Sequence, residues 1–438
     1  MRVSRERAIL VGLERKEGRG RTAVFAAGAA YCAEESLEEL AGLAESAGAE
    51  VLGSLLQVRA RAEAGTLIGL GKVEEIARLA EAEQAELIIF DQDLTPTQQR
   101  NLERLLDRRV IDRTQLILDI FARRARTREG RLQVELAQLN YLLPRLTGRG
   151  VQMSRLGGGI GTRGPGETQL ETDRRRIRRR IRKLAEELEA VRAARAVQRR
   201  QRQAVPLATA ALVGYTNAGK STLFNRLTGA QAPADARPFA TLDPTVRLLA
   251  LPSRRRLLLS DTVGFIRKLP VTLVKAFRAT LEEVAQAALL LHVADLAAPQ
   301  AAAQLVQVEK VLEEIGAGGI PRLLVFNKAD LLAEGEAESR AERLAASAGG
   351  PAAPAVVVSA RSGAGLERLL AAMDEVLATD TLVPVTFRFP AEQAGKVSLI
   401  YRLGRVLAAR YDDQGCEVRA EVPQSLKARL AAYLAPTQ

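Results

Sequence analysis

Gly214-Tyr215-Thr216-Asn217-Ala218-Gly219-Lys220-Ser221 stands between the apolar run Ala210-Ala211-Leu212-Val213 and the helical pattern Thr222-Leu223-Phe224-Asn225-Arg226-Leu227. A strand that runs into a glycine-bearing loop, ends it in Lys-Ser and opens a helix is the P-loop pattern in the context it requires. Its glycines let successive backbone N–H groups converge on phosphate oxygens at a helix N-terminus. Lys220 is then placed to reach the β and γ phosphates, and the Ser221 hydroxyl to ligate magnesium.

Four further boxes follow in order. Phe239-Ala240-Thr241-Leu242-Asp243 sits in a proline-flanked loop. Thr241 is the preferred second protein ligand of magnesium, with Thr245 as its competitor. Asp261-Thr262-Val263-Gly264 comes 41 residues after Lys220, behind the apolar run Leu257-Leu258-Leu259. A carboxylate at that strand end can hold magnesium through water, and the Gly264 N–H can contact a γ phosphate. Asn327-Lys328-Ala329-Asp330 follows Leu323-Leu324-Val325-Phe326. The Asp330 carboxylate can accept from both N1–H and the 2-amino group of guanine, and adenine offers neither donor, so its edge is left unmatched. Ser359-Ala360-Arg361 follows Ala355-Val356-Val357-Val358, and its backbone N–H groups can meet the guanine carbonyl. The residue after Gly264 is Phe265. Ras-like proteins carry there a Gln that orients the attacking water, so no catalytic side chain is identified at that position.

The rest of the chain surrounds this core with other material. Residues 1–110 alternate short apolar runs, among them Ala8 to Leu13, Glu50 to Val58 and Glu86 to Phe90, with helical patterns. That alternation predicts a small α/β domain with a parallel sheet, including a capped helix from Ser36 to Gly48. Residues 111–205 read as a helical hairpin, or coiled coil. A long helical stretch from Asp112 to Leu143 leads to a glycine-dense loop from Gly148 to Gly166. A second helix follows, striped by Leu170, Ile177, Ile181, Leu184, Leu188 and Val191. Residues 206–380 form the phosphate-binding domain with a mostly parallel sheet, and residues 381–438 a small α+β module. The fold class is thus α/β and multidomain.

Of the 438 residues, 64 are Lys or Arg and 52 Asp or Glu, a net charge of +12. The excess is concentrated. From Arg174 to Gln203 there are 13 basic and 3 acidic residues. A helix so one-signed points to a polyanion, with Arg175, Arg178, Arg179 and Arg182 as its contact candidates, which the resemblance described below makes RNA contacts; the competing reading is a solvated coiled coil that spaces two domains. With two cysteines and one histidine, disulfide frameworks and His-rich metal sites are excluded. His292 lies within an apolar run and reads as a core residue. No run of apolar residues is long enough to span a membrane, and a cytoplasmic monomer is expected.

Taken together, GYTNAGKS, FATLDPT, DTVGFI, NKAD and the phrase GGGIGTRGPGETQLE ahead of the basic helix resemble the HflX family. That family belongs to the translational GTPases in the broad sense. The resemblance covers nearly the whole chain. It implies a cytoplasmic, magnesium-dependent GTPase that binds the large ribosomal subunit and its RNA and splits or rescues stalled ribosomes under stress. It also implies ATP binding by the N-terminal domain. The Gly69-Leu70-Gly71-Lys72 turn is a candidate contributor there, against its simpler reading as the start of a helix. Asn217 is similar to the asparagine that helps hold potassium beside the phosphates in several GTPases of this wider group. Two alternatives remain open. One is a ribosomal RNA-binding or assembly protein in which GTP only switches conformation. The other is a P-loop ATPase with RNA-remodelling activity, against which Asp330 argues.

Overall fold

The computed structural model describes residues 5–15, 33–146, 165–202, 208–230, 238–239, 241, 245–253, 255–267, 283–333, 335–347, 353–379, 382–390, 393, 396–412 and 415–435. They fall into two compact units.

The first unit is built on a parallel sheet of order β2-β1-β3-β4, where β1 is Arg7–Arg15, β2 Glu50–Arg59, β3 Leu87–Phe90 and β4 Arg109–Asp112. Every residue of β3 is buried. This is the signature of a parallel strand covered on both faces, and it explains why Leu87-Ile88-Ile89-Phe90 is continuously apolar. The crossover helices are α1 (Ala33–Ser46), α2 (Leu70–Ala82) and α3 (Pro96–Leu106), and α4 (Arg113–Arg124) follows β4. Thr95 caps α3 in a reciprocal box with Gln98, one residue before Pro96. The Gly69 turn begins α2.

Three sequence expectations need correction here. The helix expected from Ser36 starts at Ala33, and the Ser36 hydroxyl donates to Asp91 (2.9 Å) instead of capping. The long helix expected from Asp112 to Leu143 is broken. Ala125 turns extended (ψ 114°), and Thr127 caps a new helix, α5 (Arg128–Leu142), by accepting from the Gly130 N–H. The segment boundary expected at residue 110 falls inside β4, and α4 packs on the first sheet. The helical arm therefore begins with α5.

That arm pairs α5 with α6 (Pro165–Arg202). Leu184 and Leu188 are buried against Leu132, with Leu136, Leu139 and Val191 beside them. Arg180 forks onto the Glu135 carboxylate at 2.7 and 2.9 Å. The glycine loop lies outside the described residues up to Gly164. Arg145, just past α5, fastens the arm to the sheet end. It donates to the Leu94 carbonyl at 2.7 Å and to Asp112 Oδ2 at 3.1 Å.

The second unit holds a six-stranded sheet of order β10-β9-β8-β5-β7-β6. Its strands are β5 (Ala208–Gly214), β6 (Thr245–Ala250), β7 (Arg256–Asp261), β8 (Leu289–Asp295), β9 (Arg322–Asn327) and β10 (Ala355–Val357). All pair in parallel except β6, which runs antiparallel to β7 at the edge. Helix α7 (Lys220–Thr228) buries Leu223 and Phe224 in a core with Leu212, Leu257, Leu291 and Val325. His292 is fully buried in β8, and burial pushes its imidazole down to about 3, so it stays neutral. The C-terminal strands β11 (Leu382–Pro390), β12 (Arg405–Asp412) and β13 (Gly415–Pro423) form an antiparallel sheet of order β11-β13-β12 over a core of Phe387, Phe389, Ile400 and Val418. Among the described residues no helix is long and apolar enough to cross a membrane.

One buried charge network holds the first unit's carboxyl edge together. Arg113 is 1% exposed and donates to Asp91 Oδ1 at 2.7 Å and to Glu39 Oε2. Removing one member of such a network leaves buried charge uncompensated, which costs about 3–5 kcal/mol. Arg113→Met is therefore expected to destabilise the first unit by that amount in denaturant unfolding. A change below about 0.5 kcal/mol, the range of ordinary surface substitutions, would show that the network carries little.

Candidate functional site

The carboxyl ends of β5, β7, β8 and β9 converge on one edge of the second sheet, and most of the sequence-predicted site residues stand there. This follows from the parallel topology, which gathers loops from distant sequence positions at one end. Gly214 ends β5 with φ +148°, and a Cβ there would lie 2.1 Å from the Val293 carbonyl oxygen. Gly219 begins α7 with φ +89°, and a Cβ would lie 2.2 Å from Asn327 Nδ2. Both positions need glycine for backbone shape and for space. Asn217 also holds a left-handed conformation, φ +61°.

Lys220 is 6% exposed. Its Nζ donates to the carbonyls of Gly214 (3.1 Å) and Tyr215 (2.7 Å), which curls the loop around the ammonium. Burial pulls its pKa down to about 8, opposed by the nearby Asp261 carboxylate. The next residue, Ser221, donates through Oγ to Asp261 Oδ2 at 2.7 Å. A hydroxyl and a carboxylate at this separation are hard oxygen donors of the kind magnesium takes, so the residues fit that ion. The Thr262 hydroxyl donates to the Leu212 carbonyl at 2.5 Å and anchors the Asp261 box to β5.

Asn327 ties three boxes together. Its Nδ2 donates to the Ala218 carbonyl and its Oδ1 accepts from the Ala360 N–H, both at 2.9 Å. Asp330 is exposed, and its Oδ1 accepts from the Ser359 hydroxyl at 2.6 Å. The carboxylate is thus held in place while its rim stays open to a base. Two contributions escaped the sequence reading. Ser359 acts on Asp330 through its side chain, whereas only backbone groups were expected to matter. Asp295, at the end of β8, pairs with Lys328 Nζ at 2.6 Å. The signal was an acidic residue closing an apolar strand beside the Asn327 strand.

Phe265 is buried, and its backbone bridges the phosphate loop: its N–H donates to the Gly214 carbonyl (3.0 Å) and its carbonyl accepts from the Thr216 N–H (2.7 Å). Its side chain therefore packs and has nothing with which to hold water. Phe239 and Thr241 cluster by their contacts with the first compact unit, and Ala240, Leu242 and Asp243 lie outside the described residues. Also in the first unit, Arg175, Arg178, Arg179 and Arg182 are all exposed on α6. Arg175 is paired with Glu171 at 2.9 Å.

Comparison with known proteins gives a consistent picture. Residues 34–122 match the family described as GTP-binding GTPase N-terminal, residues 124–202 the GTP-binding GTPase middle region, and residues 209–328 the 50S ribosome-binding GTPase family. GTPase HflX of Caldanaerobacter subterraneus subsp. tengcongensis is 49% identical over 401 residues, 92% of this chain and 90% of that protein. GTPase HflX of Escherichia coli is 46% identical over 387 residues, covering 87% of this chain and 88% of that one. GTPase HflX of Alkalihalophilus pseudofirmus reaches 56% over 297 residues, 68% of this chain and 70% of its own.

The lowered Lys220 pKa has a measurable consequence. A bound polyphosphate favours the charged ammonium, so nucleotide binding near and above pH 8 should take up a proton. By linkage, affinity should then fall with rising pH, by up to about tenfold per unit once Lys220 is largely neutral in the free protein. Calorimetry in two buffers of different ionisation enthalpy checks this. Equal apparent enthalpies in both would show that the lysine does not titrate on binding.

Proposed function

The chain belongs to the HflX family of GTPases, and from that premise we propose that it couples magnesium-dependent GTP hydrolysis to action on the large ribosomal subunit, splitting or rescuing stalled ribosomes in the cytoplasm. The observation that supports this most is the presence in one chain of a guanine-reading carboxylate held by Ser359 and an exposed arginine face on α6. In this reading Gly214, Tyr215, Thr216, Asn217, Ala218 and Gly219 surround the phosphates. Lys220 meets the β and γ oxygens, Ser221 and Thr241 ligate magnesium, and Asp261 acts on it through water. Thr262, Val263 and Gly264 follow the γ phosphate. Asn327, Lys328, Ala329 and Asp330 with Ser359, Ala360 and Arg361 enclose the base.

Magnesium would supply charge neutralisation at the phosphates, and this chain's residues supply position. Because the Phe265 side chain is buried and apolar, intrinsic hydrolysis is slow and depends on a partner to complete the site. The ribosomal subunit is the proposed partner, met through phosphate contacts that position the arm without reading sequence. The N-terminal sheet is the proposed ATP-binding part.

Base reading and partner reading have separate tests. Asp330→Asn replaces an acceptor by a donor, so GTP binding should weaken by roughly tenfold or more and xanthosine triphosphate should be preferred. An unchanged preference for GTP would remove Asp330 from the base site.

For the arm, Arg175, Arg178, Arg179 and Arg182 changed together to Glu should abolish stimulation of turnover by large subunits while intrinsic turnover stays nearly intact. Binding of the unaltered chain in sedimentation should fall steeply with salt, since each neutralised phosphate releases counterion. A variant that still pellets with large subunits and is stimulated normally would make the arm a solvated spacer. Turnover that large subunits never stimulate would instead favour an RNA-binding role with incidental hydrolysis.

A further inference from the structure

Between Asn327, which ties three boxes together, and Asp330, the proposed base reader, stands Lys328 with a charge of its own. It follows β9 directly and adopts φ +66°, a left-handed conformation uncommon outside glycine. Its Nζ meets Asp295 Oδ2 at 2.6 Å across the ends of β8 and β9, where Asp295 and Asn327 are register partners. The Lys328 and Asp295 side chains are only 25% and 17% exposed, so water screens the pair less than it would on an open surface.

Asp295 is itself fixed. Its Oδ1 accepts from the Ala297 N–H at 3.0 Å, and the Leu296 N–H donates to the Asn327 carbonyl at 2.9 Å. Arg340, on the helix Glu336–Ser347, donates to the Ala298 carbonyl at 3.1 Å. The carboxylate that holds Lys328 therefore sits on a loop tied to β9 and to a neighbouring helix.

Asp330 is held differently. It is exposed, its partner is the neutral Ser359 hydroxyl, and among the described residues no cation pairs with it. Yet Lys328 is only two positions away. Two residues of chain span at most about 7 Å, and lysine carries its ammonium on a flexible four-carbon stem. Released from Asp295, that ammonium has Asp330 within reach. There it would take acceptor positions on the carboxylate and neutralise the charge that strengthens its hydrogen bonds to a base.

We propose that Asp295 is a positioning residue for guanine selectivity: it holds the Lys328 ammonium away from Asp330 and so keeps that carboxylate open to the base. The inference rests on the reading of Asp330 as the base-reading group. It explains why one lysine at this edge is served by two carboxylates. Asp295 neutralises the lysine, which leaves Asp330 to accept from the base. Asp295 acts through Lys328 and makes no contact of its own with the nucleotide.

The readout is the ratio of affinities for GDP and inosine diphosphate, measured on the full-length protein. The two nucleotides differ only in the 2-amino group from which Asp330 accepts. Asp295→Asn keeps an oxygen for the Ala297 N–H but loses the charge that holds Lys328, so the preference for GDP should fall by about three- to tenfold. Asp295→Ser also retains an acceptor for that N–H and gives a second route to the same result if the amide perturbs folding.

A second-site change separates this role from a structural one. With Lys328→Met added to Asp295→Asn, no ammonium remains to occupy Asp330. The preference for GDP should then return to within about twofold of the unaltered chain. Absolute affinities fall in that background because Lys328 belongs to the proposed base site, so the ratio is what counts. A structural defect at Asp295 would not be repaired by removing a second charge. An unchanged ratio in both single substitutions, or a lowered ratio that Lys328→Met fails to restore, would overturn the proposal. A ratio near one in the unaltered chain would instead overturn the reading of Asp330, and the proposal with it.

Discussion

The side-chain amide of Asn327 is the joint on which the nucleotide site depends. It spans from the phosphate loop to the Ser359 box, bonding partners 109 residues away on one side and 33 on the other. Buried at a strand end, it must satisfy both its donor and its acceptor, because an unmatched amide there costs about 1–3 kcal/mol. That requirement fixes the register of β9 against its neighbours. It also dictates Gly219, since a side-chain carbon would overlap the amide nitrogen. The glycine usually explained by phosphate access is thus equally demanded by the structure behind it. In the proposed reading, phosphate binding and base reading belong to one construction, because the residue that ties down the loop opens the box that carries Asp330.

Lys220 adds a second constraint. Its ammonium is almost wholly removed from water and compensated by two loop carbonyls and a nearby carboxylate. Backbone carbonyls offset only part of the desolvation, which is why the pKa drops. A polyphosphate completes the compensation, and its arrival relieves a tension the fold maintains without it. The same logic applies to Phe265. By placing its backbone between Gly214 and Thr216, it secures the loop while giving up the position from which a polar side chain would steer water. The loop is secured at a place where the side chain offers no hydrogen-bonding group.

Most of the fold was legible because it is written in local terms. Continuous apolar runs such as Leu87 to Phe90 and Leu289 to Ala294 announced buried parallel strands, and the order of the glycine loop, Asp261, Asn327 and Ser359 announced the edge on which they meet. What escaped was decided by single hydrogen bonds or by distant packing. A helix-compatible stretch from Asp112 to Leu143 is broken because Thr127 captures the Gly130 N–H, a competition between cap and continued helix that periodicity does not register. Ser36 looked like a cap and serves Asp91 instead, because a buried carboxylate 55 residues on needs a donor. The docking of Phe239 against Phe121 links residues 118 positions apart through shape alone. No motif encodes that contact, since Phe121 lies in a helical pattern and Phe239 in a loop box read for its threonine.

The arm raises the question of what nucleotide chemistry adds to a protein that carries so much positive charge. From Arg174 to Gln203 the local net is +10, and counterion release from such a surface supplies affinity for any folded polyanion. Affinity of that kind has no direction: it holds the protein on its partner as firmly after the work as before. An ordered cycle requires that two states of the chain bind the partner differently, and a ligand equally favourable to both shifts nothing. In the proposed cycle GTP and GDP differ by one phosphate, so the difference is read at the phosphate loop that leads into Lys220 and Ser221.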